Sequence, residues 1–453
     1  MTQVLKPAGA FLAAALLLAA CQGPAGPARE RLVPDPDFGN GGLALAADSG
    51  SAGGADYGLT LIREPDGALV LAGIACDAPR APCPDNHWIA AAWRFLPSGG
   101  LDGGFAHAGA FLANGVGGGD IDAVFDAAAV GDAVLLVGAV QTARNDLDGY
   151  LWALDAFGNP APDLLGGAGG AEYDGALAGG GHDAFLALAA DDGALWIAGM
   201  AAPSTNANQY RATVWKLDQD GNKDPAFDAD GVWARSGSAT SWLHAIALDG
   251  AGRPVVAGVE GDRAKVWRLQ TTGGTDPDFQ GGVVELAVPG ATKTFARAVL
   301  VDGDRVVVAG AATVDGEVHP TLWRLLPDGT PDPEFGTAGV LLLPEKAEGG
   351  GLAYWLEPIS LAKDARGRYL LAGAAKSGRG DLDAAVWRVL PEGKPDPNFC
   401  GGGPCTLDRA GGDDWATGLV LADDGTVYLG GWASGPDGDP DAAVWKLDLQ
   451  KAP

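Results

Sequence analysis

The chain has 453 residues, a formal charge of −28, 72 Gly, 30 Pro, 14 Trp and only two Met. So acidic a surface lacks the basic footprint that holds nucleic-acid phosphates and is repelled by an anionic membrane face. A cation, a basic protein or a neutral glycan stay open as partners.

Residues 1–20 read as a signal peptide and not as part of the fold. Lys6 gives a positive start, and Phe11 to Leu18 is an apolar run too short to span a bilayer. Leu18-Ala19-Ala20-Cys21 is similar to the lipobox of bacterial lipoproteins. That resemblance implies export through the Sec pathway, a lipid on the Cys21 thiol and, with Gln22 next, sorting to the outer membrane. The protein would then reside in the cell envelope, facing the periplasm or the surface, and touch the membrane through its lipid. The alternative is an ordinary signal peptide cleaved after an Ala. Residues 21–31, rich in Gly, Pro and Ala, read as a flexible tether.

From residue 32 to residue 450 the chain repeats itself. The first landmark is a Trp in an apolar strand followed by a turn: Trp93, Trp152, Trp215, Trp267, Trp323, Trp387 and Trp445, 52 to 64 residues apart. The second is an apolar strand ending in Gly, at Gly73, Gly138, Gly199, Gly258, Gly310, Gly373 and Gly431. Turns such as Pro65-Asp66-Gly67 or Asp424-Gly425 precede it, and Asp-Gly between apolar strands is a strong hairpin signal. The third is DPxF, beginning at Asp35, Asp224, Asp276, Asp332 and Asp396, with degenerate copies expected at Asp102 and at Asp163-Leu164-Leu165. Its Pro cannot donate to a central ladder, so it marks an edge or corner.

Each period holds four short strands: one after DPxF, two flanking the hairpin turn and one carrying the Trp. No stretch sustains a 3.6-residue period. The expected fold is therefore all-β: a single seven-bladed β-propeller of four-stranded antiparallel blades. The repeat begins on a DPxF unit at Asp35 and ends on a Trp strand at Trp445, so pairing of the N- and C-terminal strands would close the ring and remove both sheet edges. These landmarks, such as WRLLPDGTPDPEFGTAGV from Trp323, resemble the delta-60 repeat family over residues 32–450. The resemblance implies a propeller-like, extracytoplasmic bacterial protein and no particular activity.

The four remaining Cys fall as two close pairs, Cys76 with Cys83 and Cys400 with Cys405. In an oxidising compartment they read as two local disulfides. A zinc site is the alternative, and neither pair has the two-residue spacing of a zinc knuckle.

The seven Trp read as repeat core, each packing against a neighbouring sheet. A second aromatic recurs before the hairpin strand: Tyr57, Phe125, Phe185, Trp242, Phe295, Trp355 and Trp415. Tyr57, Trp242, Trp355 and Trp415 are candidates for an aromatic rim that stacks on sugars, against the plainer reading of packing under a loop. Acidic pairs precede some Trp strands: Asp146 with Asp148, Asp381 with Asp383, and Asp437, Asp439 and Asp441. The last string is the candidate calcium site, calcium being the one cofactor considered, although no EF-hand pattern is present. There is no HExxH, GxSxG or P-loop, and the five His fall in different repeats. Catalysis stays open and is the weaker expectation. The leading reading is a monomeric propeller on a lipid tether, binding or scaffolding an envelope or extracellular partner. The alternative is a glycan-binding or carbohydrate-active propeller.

Overall fold

Short β-rich runs broken by Gly-containing turns fold back as hairpins, and here they do so seven times over. The computed structural model describes residues 30–451 apart from 48, 51–53, 79–82, 84–86, 178–179, 192, 205–208, 238, 345–359, 410 and 436–437. Cys21, Trp355 and Asp437 lie outside the described residues, as does the expected signal peptide. Among the described residues there is no α-helix, only three short 3-10 turns.

Six blades are continuous in sequence: 56–113, 118–173, 183–234, 241–285, 291–342 and 360–407. Each is a four-stranded antiparallel sheet in chain order. The first strand of each blade is innermost. Asp56–Arg63, Gly118–Val130, Asp183–Ala190, Ser241–Leu248, Ala291–Asp302, Ser360–Lys363 and Asp414–Leu421 contact one another in turn, and the last meets the first.

Blade 7 joins both ends of the chain, as the repeat frame requires. Its inner strands are Asp414–Leu421, Val427–Ser434 and Pro440–Lys451. Two N-terminal strands complete it along Pro440–Lys451: Leu43 pairs with Trp445 at one end of Leu43–Ala46, and Glu30 with Lys451 at one end of Glu30–Pro34. Among the described residues strand pairing already includes Glu30 and Arg31, which find partners on Pro440–Lys451. The two disulfides are Cys76–Cys83 and Cys400–Cys405.

The seven Trp sit in the third strands and are at most 4% exposed. Each shares a core cluster with the apolar residue at the end of the DPxF unit of the preceding blade. The pairs are Trp93 with Phe38, Trp152 with Phe105, Trp215 with Leu164, Trp267 with Phe227, Trp323 with Phe279, Trp387 with Phe335 and Trp445 with Phe399. The core is thus seven seams rather than one central mass. DPxF is a corner, as its Pro demands, but it also clamps the next blade. The residue after the Phe donates its N–H to that blade's outer turn, as in Gly39 to Ser98 O (2.8 Å) and Gly336 to Glu392 O (2.9 Å).

An ion pair sets the clamp. The basic residue after the Trp meets the DPxF Asp: Arg94 with Asp102, Lys216 with Asp224 (2.7 Å), Arg268 with Asp276 (2.8 Å), Arg324 with Asp332 (2.8 Å), Arg388 with Asp396 (2.8 Å) and, across the closure, Lys446 with Asp35 (2.6 Å). The other Asp oxygen caps the turn, as Asp332 accepts from the Glu334 N–H at 2.9 Å. Hydrogen bonds from Lys446 and Lys216 hold the Asp35 and Asp224 carboxyls below their usual range. Arg268, Arg324 and Arg388 also lie over the rings of Phe279, Phe335 and Phe399, a favourable cation–π arrangement.

Blade 2 corrects the expected register of its degenerate unit. Ala161 donates to Ala153 O there, as Asp332 donates to Arg324 O in blade 5. The unit is therefore Ala161-Pro162-Asp163-Leu164, not Asp163-Leu164-Leu165. Both partners of the ion pair are Ala in this blade, so neither charge is left alone.

The Gly expected to end each second strand lies inside it, as Gly138 does in Ala133–Thr142, and it answers to a contact. A Cβ on Gly138 would lie 1.8 Å from Ala123 O, and one on Gly431 1.8 Å from Trp415 O. The innermost strand bulges just beyond this point in blades 1, 2, 3, 4, 5 and 7, and the carbonyl of the residue just before the one paired with the Gly crowds out any side chain.

Candidate functional site: the loop face between blades

The two faces of the disc differ in kind. One carries the tight hairpin turns and the DPxF clamps. Two clefts open on it, of ≈ 410 Å³ between blades 4 and 5 near Arg253 and Asp304, and of ≈ 860 Å³ between blades 6 and 7 near Arg368 and Asp424. The arginines that line them are already engaged in part: Arg253 pairs with Asp249 and Asp276 at 2.8 Å each, and Arg368 with Asp364 at 2.6 Å. The opposite face carries the connections from second to third strand and from blade to blade. The described aromatic and acidic candidates lie there.

The innermost strands enter from this face, which places their first residues at its mouth. Tyr57, Trp242, Phe295 and Trp415 share one register position, next to the residue that faces the hairpin Gly. Phe125 and Phe185, grouped with them by spacing, do not. Phe125 falls in a bulge and Phe185 faces Gly199, because the strands start at different distances from the hairpin. Tyr57 and Trp415 are brought together by Trp432: Tyr57 meets it edge-on at 5.1 Å and Trp415 stacks on it at 5.5 Å. Trp88 adds a fourth ring, 5.6 Å from Tyr57. All but Trp432 are half-buried. Burial, with the charge of Asp439, raises the Tyr57 hydroxyl pKa. Trp242 stands apart on blade 4, where its Nε1 donates to His244 Nε2 at 2.7 Å. Arg297 contacts the same nitrogen at 2.6 Å, and burial together with Arg297 keeps His244 neutral, its pKa well below the usual value.

A repeated carboxylate opens the same strands. Asp56, Asp122, Asp183 and Asp414 sit two positions before the residue facing the hairpin Gly, and each accepts a backbone N–H from the incoming loop. Blades 4 and 5 have Ser241 and Thr294 there, accepting from Ala212 and Ala264 N–H. The position is thus a loop anchor first.

At two seams it meets further acids. Between blades 2 and 3, Asp148 at the start of a third strand, Asp174 after an outer strand and Asp183 bring carboxylate oxygens within 4.8 Å of one another. Between blades 6 and 7 the equivalent residues are Asp383, Asp408 and Asp414. The strings before them match, Thr142-Ala143-Arg144-Asn145-Asp146-Leu147-Asp148 and Ser377-Gly378-Arg379-Gly380-Asp381-Leu382-Asp383. Burial first, then neighbouring carboxylates, lifts Asp148, Asp183 and Asp414 from 3.8 to about 7 and Asp383 to about 6.

The expected calcium string behaves differently. Asp441 is bound by Arg409, its counter-ion from the neighbouring loop. The gathered oxygens lie at the seam between blades 2 and 3, where sequence spacing had singled out Asp148, with its neighbour Asp146. Asp174 and Asp183 come from the following loop and blade, and no local motif marks them.

Residues 304–335 match a β-propeller family described as a domain of unknown function, DUF5122. That stretch contains Gly310, Trp323 and the clamp Asp332 to Phe335. The chain is built of propeller repeats. A protein of unknown function from Dyadobacter fermentans DSM 18053 is similar at 13% identity, over 93% of this chain and 98% of that one, with a TM-score of 0.45. The β-propeller domain of the Trilobed protease from Pyrococcus furiosus, whose topology is named open velcro, is similar at 11% identity over 88% and 96%, with a TM-score of 0.40. A protein from Lactobacillus plantarum is similar at 14% identity over 85% and 96%, also at 0.40. No curated protein matches the chain. Likeness at this level says nothing of activity.

Proposed function

We propose that the protein is a delta-60-type propeller lipoprotein, anchored through Cys21 to the outer membrane, that binds an envelope or extracellular partner on its loop face. The observation that carries this reading is the contrast between the faces. The turn face is occupied by its own clamps, whereas the loop face holds half-buried aromatics and carboxylates that exceed their counter-ions. So acidic a face favours a basic protein surface or a cation-bridged one. The test is chemical crosslinking on intact cells, followed by purification through a C-terminal tag and mass spectrometry. A reproducible envelope partner, lost in Cys21→Ser, is the expected result. Recovery of no partner, or the same partner without the lipid site, overturns the tethered role.

A glycan reading draws on one specific feature, the stacked Trp415–Trp432 pair with Tyr57 and Trp88 beside it, since flat rings at a mouth suit sugar faces. It expects neutral glycans to bind the purified protein and Trp415→Ala to abolish that binding. Binding unaffected by this change would remove the aromatic patch as the site.

A further inference from the structure

The acidic cluster between blades 2 and 3 holds more negative charge than the fold neutralises. Asp148 and Asp183 are 0% and 1% exposed. Each leaves one carboxylate oxygen, Oδ1, buried without a hydrogen-bond partner. Asp146 and Glu172 lie close enough to Asp148 to oppose its ionisation, as Asp174 does. The facing cations are Arg144, which reaches Asp146, Asp148 and Asp174 at 3.3, 3.4 and 2.8 Å, and Lys223, which acts on Asp183 through space. With all five carboxylates ionised, two cations leave three charges over. Arg144 is largely exposed, so water weakens its contribution.

A buried carboxylate oxygen with no donor is costly. Loop anchoring explains only the other oxygen of Asp183, which accepts from Gly175 N–H at 2.9 Å. The three gathered oxygens have about the spacing found around a single Ca²⁺, where metal–oxygen distances run about 2.3–2.6 Å. The donors are all hard oxygens, with no His or Cys among them, which selects against zinc.

We propose that the seam between blades 2 and 3 is a divalent cation site of the Ca²⁺ class, ligated by Asp148, Asp174 and Asp183. The ion would tie the third strand of one blade to the first strand of the next, at a seam whose opposite end lacks the ion-pair clamp.

The test uses the purified full-length protein. Tb³⁺ is the direct probe, because Tyr173 adjoins Asp174 in sequence and Tyr150 lies two residues beyond Asp148, so tyrosine excitation should sensitise it. Displacement by Ca²⁺ should quench the signal. Millimolar Ca²⁺ should raise Tm by about 2–4 °C over chelator, with Mg²⁺ giving less. Asp148→Asn and Asp183→Asn should each abolish both readouts, and Asp383→Asn, at the equivalent seam, should keep them. Arg144→Ala, which frees Asp174, should tighten binding several-fold. Wild-type protein with neither Tb³⁺ signal nor Ca²⁺-dependent Tm would overturn the proposal in favour of carboxylates that share protons. Signal retained in both Asn variants would place the ion elsewhere and overturn it equally.

Discussion

Blades 2 and 6 carry similar strings before their Trp strands, yet each is held to its neighbours by different means. In blade 6, Arg388 is 4% exposed and binds both Asp396 and Glu30, the residue that opens the closing strand. A disulfide, Cys400–Cys405, pins the following turn. At its acidic seam the backbone N–H groups of Arg409 and Ser434 bind the two oxygens of Asp414, and Arg379 pairs with Asp408 at 2.6 Å. Blade 2 has Ala153 and Ala161 where blade 6 has Arg388 and Asp396, and an unsatisfied Oδ1 on Asp183 where Asp414 is satisfied at both oxygens. One repeat has lost charges in pairs and kept its packing. It has also kept an acidic cluster that its own cations do not neutralise.

The comparison can be broken first at the feature the two blades share. Trp152→Ala and Trp387→Ala should each cost about 3–5 kcal/mol in urea unfolding. Closely similar values would show that the seam packing is independent of the clamp, and a much smaller cost in blade 2 would show that it is not. The clamp comes next. Arg388→Ala leaves Asp396 and Glu30 to the longer Arg368 contacts, at 3.7 and 3.3 Å, and should cost about 3 kcal/mol, whereas Arg388→Ala with Asp396→Ala, which copies blade 2, should cost less than the single change. A double variant worse than the single would mean that the paired loss in blade 2 was compensated by something other than charge balance.

These two features also show what could be read from the chain. Seven-fold repetition, four strands per period and closure followed from the Trp, Gly and DPxF landmarks, because each answers to a constraint that every blade must meet. The clamp was hidden although both halves were visible. A basic residue follows the Trp in six blades, and the DPxF Asp stands nine residues beyond the Trp wherever the two lie in one segment. Only their joint absence at Ala153 and Ala161 reveals the pairing. Glu30–Pro34 carried no landmark, since its partners come from the other end of the chain. The acidic seam was half legible for the same reason. Asp146 and Asp148 are a local pattern, while Asp174 and Asp183 acquire meaning only when the next blade folds against them.

Smaller effects separate the blades further. Replacing both Cys400 and Cys405 by Ser should cost about 2 kcal/mol, the value expected for so short a loop, with no counterpart in blade 2. An unchanged midpoint would show that the Arg388 clamp alone holds that turn. The acid response should be the subtlest. Asp148 and Asp183 hold protons in the folded state up to about pH 7, against 3.8 when unfolded. A raised folded pKa stabilises fully at low pH, and that stability is lost as pH rises through the folded value. In chelator, Tm should therefore fall between about pH 4 and pH 7, and Asp148→Asn with Asp183→Asn should flatten the fall. Asp383→Asn should flatten it less, since Asp383 is raised only to about 6. A slope untouched by the blade 2 changes would mean that those carboxylates do not exchange protons on unfolding.

Leu43 pairs with Trp445, about 400 residues away, and this fixes the order of events in the life of the chain. A polypeptide that emerges N-terminus first makes its two short closing strands at the start and can use them only at the very end. Until then, whatever blades have formed make an arc whose two ends lie open to other strands. Entropy charges little for the distance, since the cost of closing a loop grows only logarithmically with its length. The burden falls on timing, because the moment of greatest exposure to aggregation is also the last one.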